Sequence, residues 1–175
     1  MIPPSPLLVA IRTSLILVIA LTVQLGMAPG LELFGVQADL MLLVAICGGI
    51  AAGPDRGAAI GFAAGLTYDL FLQTPFGLSA LTYAILAYLI GGLQDSVLRA
   101  AWWIPVLTAT AASMVGVILY GVFGTVLGDE LIGLELVRVA VIVGLLNTIA
   151  APFAVRGMRW ATGATRGART RAVYR

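Results

Sequence analysis

The sequence contains no histidine, no lysine and only one cysteine, Cys47. The lack of histidine removes the commonest metal ligand and the commonest general base. A single cysteine excludes a disulfide bond within the chain. The sequence also lacks a nucleophile elbow, an HExxH motif and a pair of acids spaced for metal or phosphate chemistry. We therefore expect a protein that is not an enzyme and that has no cofactor and no metal site.

Charged residues are scarce as well. They make up 10% of the 175 residues, whereas 61% are hydrophobic. A soluble domain is typically about a quarter charged. So few charges cannot cover a surface that faces water, and the sequence predicts an integral membrane protein whose main environment is the lipid bilayer. We expect no nucleic-acid partner.

The apolar segments divide the chain into helices. A spanning helix needs roughly 20 apolar residues. Pro54 and Pro75 mark turns, because proline does not continue a helix comfortably. The predicted fold class is an all-α bundle of six transmembrane helices over residues 1–155, followed by a basic tail over residues 156–175. The predicted spans are 7–27, 37–53, 57–73, 77–93, 102–127 and 132–154.

The ten arginines predict the orientation of this bundle. Lysine and arginine in loops favour the cytoplasmic side of a membrane. With six spans and a cytoplasmic amino end, every arginine except Arg138 lies inside. We therefore predict that both termini lie in the cytoplasm. A cleaved signal peptide is the alternative for the first segment, and it leaves the other spans oriented as before.

The basic tail is predicted to bind the membrane surface. Arginines near an anionic leaflet are attracted to it, and salt screens this attraction. The tail arginines are Arg156, Arg159, Arg166, Arg169, Arg171 and Arg175.

The third predicted helix carries small residues at a regular spacing. Gly57, Gly61, Gly65 and Asp69 are four residues apart, so they lie on one winding face of the helix. Glycines on such a face allow another backbone to approach closely. The alternative is that glycine is simply frequent in membrane helices. We favour packing, which carries Asp69 to a protein interface.

Asp69 is predicted to clamp the turn between the third and fourth helices. Its carboxylate needs hydrogen-bond donors, because charge inside a membrane is costly. The expected donors are backbone N–H groups where the fourth helix begins, or the hydroxyl groups of Thr67, Tyr68 and Thr74. The alternative is an ion or ligand site at Asp69.

Two further charges lie near the outer face in this topology. Asp39 begins the second helix and Arg138 begins the sixth, and both are expected at about the level of Asp69. Arg138 can pair with Asp39 or Asp69. It can equally pair with Glu135 one turn away or extend to the surface. Asn147 is expected to form hydrogen bonds between helices.

The segment "GFAAGLTYDLFLQTPFGLSALTYAILAYLIGGL" resembles the core of the rod-shape-determining MreD family. That family has a glycine-rich helix ending in an aspartate, a short P-x-G turn and a helix that starts near Ala-Leu. The matching residues here are Gly61, Gly65, Leu66, Asp69, Pro75, Gly77, Ala80 and Leu81. The tail is richer in arginine than the family pattern.

This resemblance implies a non-enzymatic inner-membrane scaffold subunit of the machinery that elongates bacterial cells. Such proteins associate with a single-pass membrane partner of the MreC type. Through it they connect to the peptidoglycan polymerase and transpeptidase. The family is also similar in its six-helix fold to the substrate-binding subunits of energy-coupling vitamin transporters. An alternative function is therefore a vitamin-binding subunit of such a transporter.

Overall fold

The computed structural model describes residues 5–27, 32–72, 75–93, 103–126 and 133–163. Those residues form six α-helices, and their only β-pairing is an isolated bridge between Leu33 and Val36. The helices are α1 (Pro6–Met27), α2 (Leu40–Ala52), α3 (Pro54–Asp69), α4 (Leu78–Gly92), α5 (Ile104–Val126) and α6 (Leu134–Thr162). The all-helical prediction is confirmed for this part of the chain.

The helices fall into two length classes. Among the described residues, three helices are long and apolar enough to cross a membrane, namely α1, α5 and α6. The helices α2, α3 and α4 have 13, 16 and 15 residues. At about 1.5 Å per residue they are shorter than the roughly 30 Å hydrocarbon layer. Six full transmembrane spans therefore remain a prediction, whereas three candidate spans are present.

The short helices end where the local sequence stops them. The Asp39 side chain caps α2 by accepting a hydrogen bond from the Leu42 N–H at 2.8 Å. Gly53 ends α2 with a φ of 89°, and Pro54 follows as the first residue of α3. Proline fits this position because a first-turn N–H has no partner within the helix. The chain thus reverses direction between α2 and α3 with almost no loop.

The centre of the bundle is α2. All of its residues from Met41 to Ala51 are buried, on every side of the helix. A helix that is apolar all round belongs inside a protein. The other five described helices each pack against α2. The core of the protein is therefore built around the shortest of its helices.

The last helix continues beyond its predicted end at residue 154. It passes through Pro152 and ends at Thr162, where Gly163 adopts a left-handed conformation with a φ of 69°. Its final turns therefore include Arg156 and Arg159, which the sequence analysis assigned to the tail. The helix ends at glycine because a left-handed residue closes a helix, and glycine adopts that conformation without steric cost.

Candidate functional site

The close contact between α3 and α4 depends on glycines. A Cβ atom on Gly61 would lie 2.5 Å from the Tyr83 carbonyl oxygen, and one on Gly65 would lie 2.5 Å from Ala80 Cα. Each distance is well inside van der Waals contact, and the atoms that it reaches belong to the backbone. A Cβ atom on Gly57 would likewise lie 2.6 Å from the Cα atom of Gly49 in α2. The four-residue spacing thus brings three helix backbones together.

Asp69 lies at the end of this glycine face, and its carboxylate is 3% exposed. Its oxygens accept hydrogen bonds from the N–H groups of Gly77 at 2.9 Å, Ser79 at 3.2 Å and Ala80 at 3.2 Å. Gly77 is the N-cap residue of α4 and has no side chain with which to cap the helix. The Asp69 carboxylate therefore satisfies the free donors of that helix from outside.

Among the described residues, the hydrogen-bond donors to Asp69 are backbone N–H groups. The Thr67 hydroxyl donates to the Ala63 carbonyl within α3. Thr74 lies outside the described residues. The turn also requires Gly77, whose φ is 96°, because only glycine adopts this region without steric cost.

The remaining family-motif residues lie apart from this contact. Leu81 is 51% exposed, and Pro75 is also exposed. Leu66 is half-buried. The structure thus brings together Gly61, Gly65, Asp69, Gly77 and Ala80, and places the other three residues of the motif at the rim.

Asp39 lies in a second polar cluster, which is formed by residues distant in sequence. Its carboxylate accepts a hydrogen bond from the Tyr83 hydroxyl at 2.6 Å, and its backbone carbonyl accepts one from Asn147 Nδ2 at 3.0 Å. The same Asn147 nitrogen donates to the Ser113 hydroxyl at 3.0 Å. The cluster therefore joins α2, α4, α5 and α6. The structure gives Asn147 the interhelical bonds that its sequence position suggests.

This Asp39 cluster lies near the middle of the two long helices α5 and α6. Asn147 is 13 residues after Leu134 and 15 before Thr162, so it is close to the middle of α6. Ser113 is 9 residues after Ile104 and 13 before Val126, near the middle of α5. Both helices are long enough to cross a membrane. Asp39 therefore lies beside the middle of these two helices, and its place at the outer face of the membrane stays a prediction.

Arg138 is not at the level of the aspartates. It precedes Asn147 by nine residues, which corresponds to about 13 Å along the helix. Its guanidinium pairs with Glu135 at 3.4 Å and lies 5.9 Å from the centroid of the Phe34 ring. Arg138 and Asp39 were expected at the same level. They are not, because α6 begins several turns beyond the start of α2. Of the pairings left open by sequence, the structure contains the one with Glu135.

A cavity of about 380 Å³ lies against the Asp39 cluster. Its polar lining includes Gln24, Asp39, Tyr68, Tyr83 and Tyr120, which come from α1, α3, α4, α5 and the start of α2. No prediction from the sequence included Gln24, Tyr83 or Tyr120. Each is a polar residue inside a largely apolar helix, and a polar side chain at such a place is the signal that could have identified them.

A second cavity, of about 290 Å³, lies between α1 and α3. Small residues line it, including Ala10, Ser14, Ala59 and Ala63. Thr13 lines it as well, and its buried hydroxyl has no hydrogen-bond partner among the described residues. We call this cavity the α1–α3 groove.

Several arginines gather at one end of the bundle. Arg12 donates to the Trp160 carbonyl at 3.4 Å, and its guanidinium lies 4.5 Å from the centroid of the Trp160 ring. Arg56 stands at the start of α3 and lines the α1–α3 groove. Arg156 and Arg159 lie in the last turns of α6. The tail residues Arg166, Arg169, Arg171 and Arg175 lie outside the described residues, as does Arg99.

No metal-binding arrangement occurs in the described part of the chain, where no three histidine, cysteine, aspartate or glutamate side chains cluster.

Comparison with known proteins gives one finding. A family model for the rod shape-determining protein MreD matches residues 7–153, which is nearly the whole chain. No curated protein and no solved structure matches the chain.

Proposed function

Because the chain belongs to the MreD family of rod shape-determining proteins, we propose that it is a non-enzymatic scaffold in the bacterial inner membrane. In this role it holds the transmembrane helix of a single-pass partner of the MreC type. Through that partner it supports the peptidoglycan polymerase and transpeptidase during cell elongation.

The α1–α3 groove is the observation that carries this proposal. Membrane helices associate through small residues that allow close approach and through hydrogen bonds between helices. The groove offers small residues for close approach, because alanines line it, and Ser14 adds a hydroxyl group. A helix from a single-pass protein is the occupant that suits such a surface. We propose that it docks there.

The closely packed α2, α3 and α4 support the same role. Their backbones meet at Gly49, Gly57, Gly61 and Gly65, which leaves little room for relative movement. Glycine contacts of this kind give a rigid body against which a partner helix can be held. Much of α1 remains exposed, including Leu15 and Val18, so lipid or another helix covers that face.

Filling the groove tests the docking proposal. The double variant Ala10→Leu with Ala63→Leu places two large side chains in the groove. Ala111→Leu is the control, because Ala111 is exposed on α5 and lies away from the groove. Purification from the host membrane should recover a single-pass wall-elongation protein with the wild type and the control, and much less of it with the double variant.

Cell shape provides the second reading of that experiment. Depletion of the protein should round the cells, and the control variant should restore rods while the groove variant should not. If the groove variant still recovers the partner fully, the partner helix does not dock in the α1–α3 groove. Recovery of ATPase subunits in place of any wall-synthesis protein would overturn the scaffold function itself.

The proposed orientation has both termini in the cytoplasm. The gathering of Arg12, Arg56, Arg156 and Arg159 at one end supports it through the positive-inside preference. Cys47 is fully buried and is replaced by alanine for the test. An impermeant thiol reagent on intact cells should then label Gly128→Cys and leave Thr165→Cys unlabelled. Labelling of Thr165→Cys in sealed cells contradicts this orientation.

A further inference from the structure

The Asp39 cavity contains a carboxylate without a matching positive charge. One Asp39 oxygen accepts the Leu42 N–H at 2.8 Å and the other accepts the Tyr83 hydroxyl at 2.6 Å. Both donors are neutral. Among the described residues the recorded ion pair is the one between Arg138 and Glu135, several turns away along α6. A carboxylate at membrane depth almost always pairs with a partner.

The other groups around the cavity favour a cation. None of the described residues that line it carries a positive charge. Three tyrosines, Tyr68, Tyr83 and Tyr120, line it together with Asp39. Aromatic ring faces attract cations, and they do so more strongly where water is excluded. Tyrosine hydroxyl oxygens also accept hydrogen bonds. An anionic ligand would meet a carboxylate and no compensating charge.

A metal ion suits this lining poorly. Mg²⁺ and Ca²⁺ prefer several oxygen ligands with carboxylates among them. Asp39 is the only acidic residue among the described residues that line the cavity. An ammonium group needs less, since one carboxylate, neutral acceptors and aromatic faces are sufficient for it. The volume of about 380 Å³ is in the range of small-ligand sites.

We propose that this cavity binds a primary ammonium group, with the Asp39 carboxylate as its counter-charge and the tyrosines around it. The three N–H donors of the ammonium group suit the carboxylate and the hydroxyl oxygens. The group can come from the headgroup of an aminophospholipid or from a small water-soluble amine. This inference is independent of the scaffold function, because the cavity and the α1–α3 groove share no lining residue.

Thermal melting of the purified full-length chain in detergent tests the proposal. The probes are short-chain phosphatidylethanolamine, short-chain phosphatidylglycerol with the same acyl chains, and ethanolamine. The ethanolamine lipid should raise the melting temperature in a saturable way, and the glycerol lipid should not. Ethanolamine alone distinguishes the two sources, because a free-amine site responds to it and a lipid site responds only to the lipid. Either response supports an ammonium site.

Asp39→Asn is the decisive variant. Asparagine caps helices about as well as aspartate, so α2 should keep its first turn. The variant should bind the responding amine at least tenfold more weakly. Asp55→Asn is the matched control, because Asp55 is exposed in the first turn of α3 and should leave binding unchanged. Tyr120→Phe keeps the ring and removes a hydroxyl, and it should weaken binding several-fold.

Three results would overturn the proposal. One is equal stabilisation by the glycerol lipid, which would indicate binding of acyl chains. Another is the absence of a saturable response to either amine. The third is unchanged amine affinity in Asp39→Asn. If Asp39→Asn does not fold, Tyr120→Phe decides, and unchanged affinity in that variant overturns the proposal as well.

Discussion

Two aspartates of the bundle, Asp39 and Asp69, have different surroundings. Asp69 binds three backbone N–H groups that lie 8 to 11 residues further along the chain. Asp39 binds Tyr83, which is 44 residues away, and its carbonyl binds Asn147, which is 108 residues away. Asp69 is enclosed by protein, whereas Asp39 lines a cavity of about 380 Å³.

The difference separates a structural carboxylate from one available to a ligand. The Asp69 carboxylate accepts hydrogen bonds from amides that the bilayer could not satisfy. Each amide left unsatisfied in lipid costs roughly several kcal/mol. Asp39 also caps a helix, but open space remains beside its oxygens. The role of an acidic residue inside the bundle is therefore better inferred from the cavity volume beside its carboxylate than from its burial alone.

The largest loss of stability is expected from a substitution at the contact between α3 and α4. Gly65→Ala adds a Cβ atom that overlaps the backbone of Ser79 and Ala80, so a helix must move. We expect a loss of about 3 kcal/mol or more, at or above the upper end for overpacking, and a greater loss for Gly65→Leu. The measurement is the melting temperature in detergent.

Gly92→Ala is the matched control for this change. Gly92 lies at the end of α4, and among the described residues no atom of a packed neighbour lies within 4 Å of an added Cβ. Alanine there should be neutral or stabilise by up to about 1 kcal/mol. Equal melting temperatures for the two variants would show that close backbone packing does not hold this corner together.

Asp69→Leu is expected to cause the next largest loss of stability, close to that of Gly65→Ala. It leaves three amide donors without an acceptor, and each buried unsatisfied donor costs roughly 1–3 kcal/mol. Some donors will find other partners, so we expect a total loss of about 3 kcal/mol in the melting experiment. Asp69→Asn keeps one carbonyl oxygen and should lose about 1 kcal/mol. Wild-type melting of Asp69→Leu contradicts the clamp.

Normal melting of Asp69→Leu combined with loss of the partner would give Asp69 a functional role instead. Melting and partner recovery should therefore be measured on the same preparation.

Asn147→Ala tests the hydrogen bonds around Asp39. It is expected to cause an intermediate loss of stability. It removes the donor to the Asp39 carbonyl and to the Ser113 hydroxyl, and both asparagine bonds are buried or half-buried. We expect a loss of about 2 kcal/mol. Ser113→Ala should lose about 1 kcal/mol. In the double variant the losses should not add, because the two residues share a hydrogen bond. Strict additivity would mean that they act independently.

Arg138→Ala is expected to have the smallest effect. Its ion pair with Glu135 is well exposed, and exposed pairs contribute about 0–1 kcal/mol. The melting temperature should change by no more than a degree or two. The large changes should thus be confined to the buried polar residues. A substantial loss here would mean that the contact of Arg138 with Phe34 fixes the loop before α2.

Local sequence signals account for the parts of the site that were predicted. The Gly57, Gly61, Gly65 and Asp69 spacing defines one helix face by geometry alone. Pro75 and Gly77 place a turn within reach of that face. Asp69 and its donors are therefore close in sequence, and their meeting needs only two helices and the turn between them. The same segment carried the family resemblance, which the match over residues 7–153 confirms.

The Asp39 cluster could not be predicted in this way. Its level in the bundle depends on where α6 begins relative to α2, which no local pattern sets. Asp39 and Arg138 were expected at one level, because each begins a predicted helix. In the structure the Asp39 carbonyl accepts a hydrogen bond from Asn147, which is nine residues beyond Arg138 along α6, so the two charges do not share a level.

The sequence by itself determined that this is a membrane protein of helices, because its charges are too few to cover a surface in water. It also determined the glycine face and the clamped turn, since helical periodicity and proline act over a few residues. Only the tertiary structure decided that α2 lies at the centre, that Tyr83 and Asn147 reach Asp39, and that a cavity remains beside them. The physical reason is that these features arise from packing between distant helices, whose relative heights depend on all of their contacts together.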